Sequence, residues 1–282
     1  MKIDGLNVIY TKDYRLNASY LEVFHFYVQS LKKYHKFIRV NFQKNFKASY
    51  QQSFLRILWK IILPLVPVSV YVVLQELGLL KGNAEMPRVI YVVIGMTFWQ
   101  LFSASLSSAM NAPEKEKAML KKINIPFILF YLSALGTVIF DYLVRVVLIW
   151  ALLIIFKTPF SLIWFTLPFL FIPLALLGST LGIFISFFSV FVGDIKNIVD
   201  ICLRYGLFAS GVLFPLPSTG MLVQILNYNP VYIFLDNLRQ LIVFSEFSSL
   251  KYFSIAFIGL LVATIVIFKK LYTLESRLRE FL

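Results

Sequence analysis

Six stretches of this 282-residue chain are apolar over a length that can cross a membrane. A hydrocarbon core about 30 Å thick requires roughly 20 apolar residues per helix. The stretches lie at about residues 57–77, 89–110, 127–156, 162–192, 198–216 and 253–270. Their apolar runs are continuous rather than alternating, which favours helices over the strands of a β-barrel. The pattern predicts an all-α integral membrane protein with six transmembrane helices.

Composition excludes the class of protein that a net charge of +13 would first suggest. The chain is 59% hydrophobic, against about 45–50% in globular proteins, and its mean hydropathy is +0.79. A nucleic-acid-binding protein explains the charge but not the apolar content, so no nucleic-acid partner is expected. With a single cysteine, Cys202, and only two histidines, the chain is expected to hold neither an intramolecular disulfide nor a metal.

The distribution of Lys and Arg predicts the orientation of the spans. Six spans place both termini on one side, and that side carries 21 of the 27 basic residues, against five on the opposite side. Cytoplasmic loops are enriched in Lys and Arg, so both termini of this multi-pass membrane protein are predicted to be cytoplasmic. Residues 1–19 lack the apolar core of a secretory signal, and no cleaved signal is expected.

We divide the chain into a cytoplasmic N-terminal segment at 1–54, a transmembrane domain at 55–272 and a cytoplasmic tail at 273–282. The N-terminal segment has no acidic residue from Val23 onward, and apolar side chains from Phe24 to Phe42 recur at spacings of three and four. This predicts an amphipathic helix lying at the membrane interface. The helix is either an anchor alone or also part of an entrance for a substrate with an anionic head. The candidate head-binding residues are Lys36, Arg39, Lys44, Lys47 and Arg56.

Two opposite charges lie inside the third span. Asp141 and Arg145 are spaced i and i+4, which places them on one helix face and predicts an ion pair. A charge at mid-bilayer costs about 2.5–3.5 kcal/mol on insertion scales, so the pair is expected to face protein or water. A structural ion pair, a direct substrate contact and proton coupling are the three alternatives for its role.

The chain lacks the motifs of a nucleotide-hydrolysing enzyme. Gly178 and Gly182 resemble part of a phosphate-binding loop, but the lysine of that loop is missing and both glycines lie within a span. No spacing suggests a Ser/His/Asp arrangement or a pair of catalytic carboxylates. We therefore expect a protein that is not an enzyme and has no cofactor of its own.

Six short segments, in order along residues 40–280, resemble motifs of ABC-2 type permeases that export polysaccharides. The first segment resembles "R-Y-x-x-S-x-L-G-x-x-W-x-x-x-x-P", although Arg56 replaces its glycine; the matching residues are Tyr50, Ser53, Leu55, Trp59 and Pro64. The other segments are Gly95–Phe102, Leu120–Pro126, Val192–Ile195, Asn229–Pro230 with the later Arg239, and Phe268–Tyr272.

The resemblance implies a homodimer of six-span subunits in the bacterial inner membrane, with two cytoplasmic ATP-binding subunits, which bind ATP and Mg. Its substrate would be a glycan linked to an undecaprenyl diphosphate type of lipid, O-antigen or capsule being favoured over teichoic-type polymers. The alternatives are an ABC-2 exporter of a small hydrophobic molecule, and a non-transport membrane scaffold or enzyme. The basic N-terminal helix favours the lipid-linked polysaccharide.

Aromatic residues, 17% of the chain, are the candidates for lining a polysaccharide channel. Sugar C–H faces can slide over aromatic rings without fixed hydrogen bonds, although most aromatic residues of such a chain face lipid or core. The candidates are Trp59, Tyr71, Phe98, Trp99, Phe102, Tyr205, Phe208 and Phe214.

Two short loops on the predicted cytoplasmic side are candidates for coupling to an ATPase. The first contains the charged helix candidate Pro113–Lys122, whose alternative role is that of a solvated connection, and the second is the turn at Gly193–Asn197. The candidate coupling residues are Glu114, Lys115, Glu116, Lys117, Lys121, Lys122, Asp194 and Lys196.

The segment between the fifth and sixth predicted spans is too polar to cross the membrane. It contains the amphipathic stretch Val231–Val243, which predicts a re-entrant or gate helix at the periplasmic mouth. Asn229 and Pro230 precede the stretch, and Asp236 and Arg239 are spaced to pair within it.

Overall fold

A computed structural model describes residues 15–50, 86–213 and 228–281, together with isolated positions between 58 and 73. Regular secondary structure in these ranges is helical throughout. The α-helices are α1 (Tyr20–Lys33), α2 (His35–Tyr50), α3 (Arg88–Lys115), α4 (Lys117–Leu120), α5 (Phe127–Ile155), α6 (Ile172–Ser189), α7 (Asp194–Gly206), α8 (Pro230–Phe244) and α9 (Leu250–Phe281). Short 3₁₀ helices cover Leu162–Phe169 and Phe208–Ser210.

Four segments of the described chain are long and apolar enough to cross a membrane. They are Arg88–Lys115, Phe127–Ile155, Leu162–Ser189 and Leu250–Arg279. They correspond to the second, third, fourth and sixth predicted spans, so the all-helical membrane class is confirmed. The first predicted span, at 57–77, lies mostly outside the described residues.

The fourth span is divided near its two prolines. Pro168 lies within the 3₁₀ helix and Pro173 lies in the first turn of α6, where the missing proline N–H removes no helical hydrogen bond. Side chains of α5 contact backbone carbonyls of this 3₁₀ helix. The Tyr142 hydroxyl donates to the Leu167 carbonyl at 2.5 Å, which secures the 3₁₀ helix against α5.

The fifth predicted span differs from the described structure. Its helix, α7, starts at Asp194 rather than 198 and ends at Gly206 after 13 residues, a length of about 20 Å. The chain then forms a 3₁₀ turn and a left-handed Gly211, with a φ of 60°. None of the α7 residues is buried, and α7 alone is shorter than a hydrocarbon core. Residues 214–216 lie outside the described residues.

Two glycines of α6 allow close packing of this helix against α3. A Cβ on Gly178 would lie 2.4 Å from the Phe102 carbonyl oxygen, and a Cβ on Gly182 would lie 2.3 Å from that of Leu106. Small residues four apart let two membrane helices approach at backbone distance. The glycine pair is therefore a packing motif between α3 and α6.

The amphipathic N-terminal segment consists of two helices that meet at Tyr34, and α2 packs alongside α5. The Asn41 amide donates to the Ser133 hydroxyl at 2.7 Å, and the rings of Phe37 and Phe130 are 5.1 Å apart. Later contacts between the two helices follow the same order along the chain, so α2 and α5 run parallel. The apolar face predicted to lie in lipid thus contacts protein over part of its length.

The segment predicted as a tail, at 273–282, is helical as far as the structure describes it. α9 continues to Phe281 without a break after the apolar stretch, and Glu275 and Leu278 are each 2% exposed. Its later turns pack against α1, where the Tyr27 hydroxyl donates to the Phe268 carbonyl at 3.0 Å. The end of α9 is thus part of the packed structure and not a separate tail. The sequence did not indicate this because these last turns contain too few apolar residues to be recognised as part of a membrane span.

Candidate functional site

A cavity of about 690 Å³ lies between α3, α5 and α7. From α3 it is bordered by Gln100, Ser103 and Ser107, whose spacing places them on one face of the helix. Arg145 of α5 and both Asp200 and Arg204 of α7 supply its charged groups. The remaining lining residues are Met96, Trp99, Ala104, Leu203 and Leu207. The cavity is therefore polar and charged within otherwise apolar helices.

The intramembrane charges make different contacts from those predicted. The Tyr50 hydroxyl at the end of α2 donates a hydrogen bond to Asp141. The Asp141 carboxylate acts on the Arg145 guanidinium electrostatically, but the described residues form no Asp141–Arg145 ion pair within 4 Å. Arg145 is 9% exposed, and its Nε has no hydrogen-bond partner among the described residues. Among the described residues, Asp141 thus contacts Tyr50, and Arg145 borders the cavity.

The aromatic candidates for a channel fall into four groups. Trp99 is buried and borders the cavity, and the Trp59, Tyr205 and Phe208 side chains are exposed. Phe98 and Phe102 are buried at 0% and 5% exposure, which places them in the core of this subunit. Helical spacing alone does not distinguish a core face from a channel face. The remaining candidates, Tyr71 and Phe214, lie outside the described residues.

The structure brings the two predicted coupling loops together. The Lys196 ammonium at the start of α7 donates to the Glu114 carboxylate near the end of α3, 82 residues away in the chain. A cavity of about 210 Å³ beside this contact is bordered by both loops, including Lys117 and Gly193. We refer to the Glu114–Lys196 contact and this cavity as the loop junction. The other exposed candidates near it are Lys115, Lys121, Lys122 and Asp194.

Glu116 differs from the other coupling candidates because it is buried. Its side chain is 8% exposed and accepts a hydrogen bond from Lys44 of α2 at 2.9 Å. Glu116 therefore connects α2 to the first loop within the subunit and does not belong to an exposed docking surface. Of the candidate head-binding residues, Lys36, Arg39, Lys44 and Lys47 are exposed, whereas Arg56 lies outside the described residues.

The sequence patterns did not reveal a charged cluster that fixes the first loop to the end of α9. Arg279 donates to the carbonyl oxygens of Leu120 and Ile123, both at 3.2 Å, and also to that of Ile125. Glu275 bonds Arg279 at 2.9 Å, and Arg15 approaches Glu275 at 3.4 Å. The i, i+4 spacing of Glu275 and Arg279 was the available signal, but it does not identify the loop as the partner.

The predicted gate helix corresponds to α8, and Asn229 caps its first turn by accepting from the Val231 N–H at 3.0 Å. Pro230 begins the helix. Arg239 is fully buried, donates to the Gly211 carbonyl at 3.2 Å and lies 3.5 Å from the centre of the Tyr91 ring. The described residues do not form the predicted Asp236–Arg239 ion pair. The Arg239 guanidinium instead turns toward α3 and the backbone of residues 211–212.

Comparisons with known proteins identify two similar permeases. The chain is 26% identical over 194 residues to the O-antigen export system permease protein RfbA of Myxococcus xanthus, covering 68% of this chain and 73% of that protein. It is 23% identical over 237 residues to the O-antigen export system permease protein RfbA of Klebsiella pneumoniae, covering 81% and 89%.

The family comparison covers most of the described helices. The ABC-2 type transporter family matches residues 36–243, from the beginning of α2 to the end of α8. This range includes the 690 Å³ cavity, the loop junction and the buried Arg239. On this match, the chain belongs to the ABC-2 type transporter family.

Proposed function

We propose that this chain is the permease subunit of an ATP-driven exporter that moves a lipid-linked polysaccharide across the inner membrane. The observation that carries the proposal is the similarity to two permeases named for O-antigen export, one of them over 81% of the chain. O-antigen or capsule is the favoured cargo. The functional unit is a homodimer of six-span subunits with both termini of each in the cytoplasm, with α8 as the gate segment.

The loop junction supports a role for ATP-binding partners. Glu114, Lys117 and Lys196 present charges from two loops at one place, and Glu114 is 67% exposed at its side chain. A surface built from both loops responds to a partner as a single unit. Two ATPase subunits, holding ATP and Mg, would dock there and transmit their motion to α3 and α7.

The exposure of α7 supports dimerisation. Apolar side chains of Ile198, Ile201, Tyr205 and Phe208 are each at least 55% exposed. The described residues of one subunit, with α7 at their surface, do not enclose a channel, whereas two subunits facing each other would enclose a path between them. The basic residues of α2 would attract the phosphate-bearing head of the cargo lipid to the cytoplasmic leaflet.

Complementation tests this function directly. The full chain is produced together with its neighbouring ATPase in a strain lacking its own O-antigen permease, and surface glycan is measured by immunoblot. Export that requires both proteins and an intact ATPase supports the proposal. Intracellular accumulation of the glycan despite a stable permease–ATPase complex contradicts it, and resistance to hydrophobic compounds in that strain would favour a small-molecule exporter.

A further inference from the structure

Resting on the proposed function, we propose that Arg279 is a positioning residue for ATPase coupling. From the last turn of α9, its guanidinium fixes the end of the short helix α4 in the first loop. α4 supplies Lys117 to the wall of the loop junction, so its orientation decides which face of the loop a docking ATPase meets. Arg279 lies outside residues 36–243, so the family match assigns it no role.

α4 is too short to hold its own orientation. It has four residues, and a helix leaves its last four carbonyl groups without partners inside it. Two of these carbonyls accept from backbone N–H groups of the turn that follows. The Leu120 carbonyl accepts instead from Arg279, as do the carbonyls of Ile123 and Ile125 further along the chain. The end of α4 is therefore fixed by a side chain from another helix.

The beginning of α4 is held by a second helix. Glu116 precedes α4 as its N-cap residue and is bonded by Lys44 of α2 at 2.9 Å. Because Lys44 holds one end and Arg279 the other, α4 presents one defined face outward. Lys117 is exposed on that face, whereas Leu120 is 4% exposed and packs inward.

The guanidinium of Arg279 is itself held in one orientation. The buried Glu275 carboxylate, one turn earlier, accepts from its Nη2 at 2.9 Å, and its central carbon lies 5.1 Å from the centre of the Phe127 ring. Its Nη1 donates to two loop carbonyls and its Nη2 to a third. A planar fork serves these acceptors together, whereas a lysine ammonium on a flexible chain has no fixed directions. The contacts thus specify arginine and not merely a positive charge.

A positioning role and a purely structural role predict different results. A side chain that only stabilises the fold alters Tm and the amount of complex, but not the glycan exported per ATP hydrolysed. Positioning of α4 alters that ratio, because the motion of the ATPase reaches the permease through the loop. Coupling between sites typically amounts to about 5–150-fold, so Arg279→Gln should lower the ratio at least about fivefold.

The first measurement is this ratio in proteoliposomes that contain the full chain, its neighbouring ATPase and lipid-linked O-antigen. Arg279→Lys, which keeps the charge facing Glu275, should also lower the ratio. Two matched variants should leave it unchanged. Arg277→Gln removes an exposed cation two positions away, and Tyr27→Phe removes the hydrogen bond from α1 to the Phe268 carbonyl, a contact of α9 that does not involve the loop.

The second measurement needs neither cargo nor ATPase. A spin label at Ala118→Cys, in a chain that also carries Cys202→Ser, reports the motion of α4. This motion should increase in both Arg279 variants and in neither matched variant. If Arg279→Gln does not fold, Arg279→Lys decides.

Three results would overturn the inference: unchanged label motion, an unchanged ratio, or a ratio that Tyr27→Phe lowers equally, which would leave Arg279 a structural role only. The failure of the proposed function is separate. If the unaltered chain exports no glycan, that function fails, and the spin label alone decides whether Arg279 orders α4.

Discussion

The carboxylate of Glu275, near the end of α9, accepts a hydrogen bond from the backbone N–H of Phe127, the first residue of α5, at 3.2 Å. The first N–H groups of a helix have no partner within it, so a carboxylate there satisfies a donor and interacts favourably with the helix dipole. The same carboxylate bonds Arg279 at 2.9 Å. One buried acid thus holds the beginning of one span and the end of another.

Removal of this acid should destabilise the protein. Glu275→Ala leaves Arg279 and Arg15 without their shared carboxylate and the Phe127 N–H without an acceptor. The expected loss is on the order of 3 kcal/mol, because a broken buried pair leaves an uncompensated charge. Thermal unfolding in detergent measures it as a lower Tm. Glu246→Ala, at an exposed position, is the matched control, and equal Tm values for both variants would contradict this role.

The close approach of α3 and α6 predicts a strong effect of a single methyl group. Gly182→Ala places a Cβ 2.3 Å from the Leu106 carbonyl oxygen, so one backbone must move. Overpacking of this kind costs about 1–3 kcal/mol. The Tm of Gly182→Ala should fall, whereas Gly259→Ala, which meets open space and gains helix propensity, should not lower it. An unchanged Tm for Gly182→Ala would show that the two helices are less closely packed.

Replacing Arg239 even with lysine should destabilise the protein. Its guanidinium stacks on Tyr91 and donates to the Gly211 and Val212 carbonyls, and lysine provides neither the planar group nor the second donor direction. Arg239→Lys is therefore expected to lower the Tm by several degrees. Arg277→Lys, at an exposed position of α9, provides the control. A Tm equal to that of the control would mean that the stack contributes little.

The loop junction should affect ATPase coupling far more than stability. Exposed ion pairs contribute about 0–1 kcal/mol, so Lys196→Glu should leave the Tm nearly unchanged. In the reconstituted complex the same change should reduce substrate-stimulated ATP hydrolysis, because the introduced carboxylate would repel that of Glu114 across the two loops. The exchange Glu114→Lys with Lys196→Glu should restore stimulation.

A control on a different surface completes this experiment. Lys251→Glu makes the same charge change at the beginning of α9, far along the chain from both loops. It should leave ATP hydrolysis unaltered. If the double exchange were as impaired as Lys196→Glu alone, the two loops would not act together.

Hydropathy predicted α3, α5 and α9 well because a membrane span requires a long apolar run, which the sequence displays directly. The same measure placed the beginning of α7 at 198, four residues after its start at Asp194, because Asp194 and Lys196 lower the mean hydropathy there. It also gave no sign that the last turns of α9 are packed. Mean hydropathy indicates whether a segment can lie in a membrane, but it does not indicate where its helix begins or ends.

The candidate site was predictable only in part. Charge and position single out the two candidate coupling loops, and the structure places Glu114 and Lys196 in contact. The partner of Asp141 was not identified, because Tyr50 is 91 residues away and no spacing rule joins residues on different helices. Likewise, Phe98 and Trp99 are neighbours in sequence and both are buried, yet Trp99 also borders the cavity.

The unbroken length of α9 has a mechanical consequence. Its 32 residues contain no proline and extend about 48 Å. At one end Arg279 binds the loop before α5, and at the other Phe253 packs on Phe234 of α8, with ring centres 5.4 Å apart. A continuous helix resists shortening, so a displacement of this loop along the axis of α9 is transmitted to the contact with α8.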